Sequence, residues 1–89
     1  MSADEIAAGV KEILQEEFGV IEEFFSEETD TLRELGICSS LDEFDLCVAL
    51  KERHIPDLDP SFTIYNHETV QQLAERLYKE QNEITARHA

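Results

Sequence analysis

Eighty-nine residues with a 42% hydrophobic fraction are enough for one small domain and leave no material for a second core. A formal net charge of −14 makes nucleic acid and anionic membrane surfaces poor partners and points instead to basic proteins. The start Met1-Ser2-Ala3-Asp4-Glu5 lacks the basic and apolar segments of a secretory signal, and no apolar run is long enough to cross a bilayer, so a cytoplasmic chain is expected. Two cysteines, Cys38 and Cys47, build no disulfide framework and lack zinc-ligand spacing; both are expected as reduced thiols, Cys38 in a loop and Cys47 in the core.

Ile6, Val10, Ile13, Leu14 and Phe18 recur at helical spacing, and Ser2 with Glu5 has the form of a capping box before them. The first helix is therefore predicted from about residue 3 to Phe18, with Gly19 as its stop. From 20 to 36, Phe24, Phe25, Leu32 and Leu35 stand among many carboxylates (Glu22, Glu23, Glu27, Glu28, Asp30, Glu34) without sustained periodicity, which predicts a long loop pinned by apolar anchors. Leu41, Phe44, Cys47, Val48, Ala49 and Leu50 then read as the buried stripe of a second helix. Ser40 and Glu43 suggest its capping box, and Pro56 ends it near His54.

Asp57 to Asn66 contains Pro60 and three apolar side chains, Leu58, Phe62 and Ile64, so a short helix at most is expected there. Val70, Leu73, Ala74, Leu77 and Tyr78 mark the last helix, expected to begin near His67 and fade after Lys79. Residues 1–80 then form the domain and 81–89 a polar tail. The predicted fold is all-α: a small four-helix bundle of three main helices plus a short one.

The stretch Leu35-Gly36-Ile37-Cys38-Ser39-Ser40-Leu41-Asp42-Glu43-Phe44-Asp45-Leu46 sets serines where an acidic helix begins. A serine there either caps the helix or carries an anionic group against its positive end. Together with Phe18-Gly19-Val20, Ile55-Pro56 and the run Tyr65-Asn66-His67-Glu68-Thr69-Val70, this order of residues over about 5–80 resembles the acyl carrier protein family. The resemblance implies a 4′-phosphopantetheine arm esterified to a serine at the start of the second helix, carrying acyl or aminoacyl groups as thioesters. It implies no catalytic residue in the chain itself, since the cofactor carries the chemistry. The implied work is delivery to enzymes of fatty acid, polyketide or related biosynthesis.

Ser40 is the implied attachment residue, because the segment from Leu41 to Leu50 follows the family in phase with it. Ser39 is the alternative: it stands where the family usually has aspartate, and counting forward from Gly36 puts the serine there. The implied partners are a phosphopantetheinyl transferase and acyl-loading and acyl-transfer enzymes with basic docking patches. These would meet Asp42, Glu43 and Asp45 of a monomeric carrier.

Two other functions fit parts of the sequence. An unmodified carrier-like module can bind basic proteins through the same acidic helix, with the serine acting only as a cap. Alternatively, Asp57 to Glu68 sets oxygen-bearing residues at positions one, three, five, seven and twelve of an EF-hand-like calcium loop, with Phe62 where the sharp turn calls for glycine.

Overall fold

The computed structural model describes residues 2–25 and 30–88, so Glu27 and Glu28 of the expected loop lie outside the described residues. Helix α1 spans Ala3–Phe18, α2 spans Ser40–Arg53 and α3 spans Val70–His88, with a 3₁₀ turn at Glu22–Phe25. The Ser2 hydroxyl accepts the Glu5 N–H at 3.2 Å, and the Glu5 carboxylate accepts the Ser2 N–H, closing the expected box. At the other end Gly19 adopts φ 70° and donates its N–H to the Leu14 carbonyl. A side chain at that φ is strained, which is why the helix stops at a glycine.

The buried face of α1, including Ile6, Val10, Ile13 and Leu14, packs on both other helices. Leu46 and Leu50 of α2, Leu73 and Leu77 of α3, and Leu32, Ile37, Leu58 and Ile64 from the connections complete one core. Arg53, at the end of α2, ties it to α1 through Glu12 at 2.7 Å and Glu16 at 2.5 Å. The all-α class with three main helices is as expected, and no strand occurs among the described residues.

Five details depart from expectation. The segment 57–66 forms turns and holds no helix; the short helical turn lies at Glu22–Phe25. Pro60 and a run of side chain-to-backbone bonds explain this: the Asp59 carboxylate accepts both the N–H and the hydroxyl of Ser61, at 2.8 and 2.7 Å, a local bonding pattern that competes with helix. The segment is nevertheless anchored, since Leu58 and Ile64 are buried and Phe62 is half-buried.

Helix α3 begins at Val70 rather than near His67, because Thr69 and Gln72 form a reciprocal capping pair at 3.1 and 2.9 Å. It continues to His88, through most of the expected tail, as no glycine or proline interrupts the sequence beyond Thr69.

The box at the start of α2 is Ser39 with Asp42, not Ser40 with Glu43. Ser39 has extended geometry, its hydroxyl accepts the Asp42 N–H at 3.2 Å, and Ser40 is the first helical residue. Glu43 cannot reach back because its carboxylate is held elsewhere, by the Asn66 N–H at 2.7 Å.

The buried stripe of α2 is Leu46, Ala49 and Leu50, whereas Leu41, Phe44 and Val48 are 66%, 64% and 37% exposed. At 3.6 residues per turn these two sets lie on faces about 180° apart. The run Leu46-Cys47-Val48-Ala49-Leu50 is apolar right around the helix, so spacing alone does not choose between the faces.

Candidate functional site

The start of α2 is built by three segments that meet there. The turn 31–36 opens with Thr31 and Glu34 capping one another at 3.2 and 3.3 Å, and closes at Gly36 with φ 109°. It pairs with the segment before α3: Leu32 N–H donates to the Glu68 carbonyl at 2.8 Å, and Arg33 N–H to that of Asn66 at 2.9 Å. Asn66 in turn donates its side-chain N–H to the Cys38 carbonyl at 3.4 Å. The residues leading into α2 are thus held from both sides.

Within that frame the two serines have different roles. The Ser39 hydroxyl is the helix cap, and the Asp42 carboxylate accepts the N–H groups of Ser39 and Cys38 at 3.4 and 3.3 Å. Ser40 is exposed, and its hydroxyl enters no hydrogen bond among the described residues. The Ser40 and Leu41 N–H groups have no intrahelical acceptor at this position, so the first turn presents donors and the positive end of the helix dipole. An anionic ester on the Ser40 oxygen fits that setting.

Beside Ser40 runs an open groove of about 300 Å³, walled by Phe44 and Cys47 of α2 and by Pro60, Phe62 and Ile64 of the connection. Cys47 is half-buried, its Sγ 3.7 Å from the Phe62 carbonyl, and burial pushes its thiol above the ordinary range against a smaller pull from Lys51. Cys38 is exposed, as expected of a loop thiol.

The wall of the groove is fixed from behind by Arg76. Its guanidinium lies 4.7 Å from the Phe62 ring centre and 5.0 Å from that of Tyr65. It bonds the Thr63 carbonyl at 2.8 Å and grips the buried Glu68 carboxylate through two nitrogens. Glu68 is the residue a calcium loop would need at its last position, and among the described residues no three acidic, histidine or cysteine side chains converge on a metal-sized site. The segment 57–68 that carries the EF-hand-like pattern is anchored in the core by Leu58 and Ile64.

Of the three carboxylates expected to meet partners, Asp42 and Glu43 are half-buried and already accept backbone N–H groups, and Asp45 alone is exposed and without a bond among the described residues. The exposed apolar residues Leu41, Phe44 and Val48 flank it. Helical spacing in the sequence predicts those three in the core, and the structure places them outside it. Spacing gives no signal that separates the faces, since Phe44 with Val48 and Leu46 with Leu50 are both apolar i, i+4 pairs.

No curated protein and no solved structure matches the chain. Residues 8–77 match the family model described as "Phosphopantetheine attachment site". That match spans most of the length, with all of α2 and its serine-led start and parts of α1 and α3. Its members attach the 4′-phosphopantetheine prosthetic group, and this chain belongs to that family of carrier domains.

Proposed function

We propose that Ser40 bears the 4′-phosphopantetheine arm and that the chain presents acyl or aminoacyl groups to enzymes of fatty acid, polyketide or related biosynthesis. The observation that carries the choice of residue is the contrast between neighbouring hydroxyls: Ser39 is spent on capping α2, while Ser40 is exposed and uncommitted one residue on. When attached, the arm supplies the terminal thiol that holds the cargo. The chain supplies a rigid platform. Its capped first turn holds the Ser40 oxygen at a helix N-terminus that favours the phosphate charge, and the bonds from Asp42 and Asn66 keep the preceding residues from fraying. No side chain of this platform is assigned a catalytic step. Partners are the transferase that loads the arm and the enzymes that charge and discharge it, reached through α2.

The test is intact mass after incubation with coenzyme A and a phosphopantetheinyl transferase. The native chain and Ser39→Ala gain the mass of one arm, and Ser40→Ala does not. Gain in Ser40→Ala with loss in Ser39→Ala moves the attachment to Ser39. A native chain that never gains mass leaves the other reading, an unmodified module that binds basic proteins through α2.

A further inference from the structure

Acidic residues outnumber Lys and Arg by 21 to 7, so an arginine without a carboxylate partner is unexpected in this chain. Arg53 is engaged by Glu12 and Glu16, and Arg76 by Glu68 and the Thr63 carbonyl. Arg33 differs: it is exposed, and its guanidinium enters no ion pair, hydrogen bond or ring contact among the described residues. Its backbone, by contrast, is fixed at the approach to α2. The Arg33 N–H donates to the Asn66 carbonyl at 2.9 Å, and the Arg33 carbonyl accepts the Gly36 N–H at 3.1 Å and the Cys38 thiol at 3.6 Å. Ser40 lies two residues beyond Cys38, at most about 7 Å of chain. Other unpaired cations stand further off, Lys11 and Lys79 within α1 and α3, and Lys51 about 16 Å along the axis of α2 from Ser40. The His67 ring, next to Asn66, is stacked on that of Tyr65.

We infer that Arg33 is the counter-charge of the arm, its guanidinium pairing with the phosphate esterified to Ser40. This rests on the carrier reading above and adds to it a binding residue from outside α2. The need for one follows from the charges already present. Asp42 and Glu43 belong to the same turn as Ser40 and Asp45 to the next, so a phosphodiester there adds a further negative charge to a carboxylate cluster in a chain of net charge −14. The Ser40 and Leu41 N–H groups supply donors and a partial positive charge, but no full cation comes from the first turns of α2. Arginine suits the role, because its planar fork matches two phosphate oxygens at once, whereas lysine offers a single point of charge. The bonds that hold the backbone of Arg33 to Asn66 and Cys38 keep that charge beside the serine.

The test compares native chain, Arg33→Gln, Arg33→Lys and the control Lys51→Gln, each with and without the arm installed by coenzyme A and a phosphopantetheinyl transferase. Circular dichroism should show every unmodified chain helical, since both replaced side chains are exposed. Installing the arm should lower the melting temperature by about 2–4 °C more in Arg33→Gln than in the native chain at about 0.05 M salt, and the gap should close near 1 M. Arg33→Lys should fall between them, and Lys51→Gln, which removes the same charge elsewhere on the surface, should match the native chain. Phosphorus NMR reads the pairing directly: the phosphodiester signal should move in Arg33→Gln and stay in place in Lys51→Gln. An unmoved signal in Arg33→Gln, a gap below about 1 °C, or equal effects in Arg33→Gln and Lys51→Gln overturns the proposal. Intact mass separates this from failure of the carrier reading. A native chain that never gains the arm on Ser40 overturns both, whereas an arm on Ser40 that is indifferent to Arg33 overturns the pairing alone.

Discussion

The Glu43 carboxylate accepts the backbone N–H of Asn66 at 2.7 Å, joining the first turn of α2 to the segment that precedes α3. The bond is partly buried and charge-assisted, so its loss strands an amide N–H in the interior. Glu43→Ala should cost about 1–3 kcal/mol of stability. Asp45→Ala, which removes an exposed carboxylate two residues on, should cost less than about 0.5 kcal/mol. Urea unfolding of the two variants checks the contrast, and equal midpoints would deny Glu43 its structural role.

Gly9 lies in the middle of α1 with the His54 ring packed close against it. A Cβ at Gly9 would stand 3.0 Å from His54 Nε2, and that nitrogen is buried with no hydrogen-bond partner among the described residues. Gly9→Ala should therefore destabilise the native chain by about 1–2 kcal/mol through overpacking. In a His54→Ala background the same change should gain up to about 1 kcal/mol, because alanine is the better helix former once the ring is gone. A double-mutant cycle by thermal melting reads the change of sign.

Arg76 is the hub that holds the turn-rich 57–66 connection against α3. Arg76→Gln leaves the Glu68 carboxylate buried without its ion pair, and should lower stability by about 2 kcal/mol, the partial exposure of the guanidinium moderating the loss. Replacing both partners, Arg76→Gln/Glu68→Gln, should cost less than the sum of the single changes. Chemical denaturation supplies the four values, and strict additivity would argue against the clamp.

Cys47 and Cys38 should differ in reactivity. Burial holds the Cys47 proton more tightly in the folded chain than in the unfolded one, while Cys38 is exposed. At about pH 8, iodoacetamide should label Cys38 first, and mass spectrometry of the digested chain reports the order. The sign for stability follows. Below the ordinary thiol range both states are protonated and Cys47 contributes no pH dependence. As pH rises past about 8.5 the unfolded state loses that proton first, so stability falls. Cys47→Ala should flatten that fall in melting experiments, and an unchanged slope would contradict the raised thiol.

The extent of α1, its capping box, its glycine stop, the start of α2 at Ser40 and its end beside His54 were all legible in the sequence, because each depends on residues within one or two turns of one another. So was the family resemblance, since its residues follow one another in order along the chain. The Thr69–Gln72 pair that sets the start of α3 was equally legible, being the same Ser/Thr-x-x-Gln/Glu pattern, but apolar spacing drew the boundary toward His67. Tertiary structure alone decided which face of α2 is buried, because its central five residues are apolar in every direction and only the position of α1 selects Leu46, Ala49 and Leu50. It alone committed Glu43 as well, whereas Asp42 is held locally by its capping box with Ser39. Whether an acid near Ser40 is free for a partner depends on a backbone N–H brought from 23 residues away, as with Glu43 and Asn66, and no local pattern encodes that meeting.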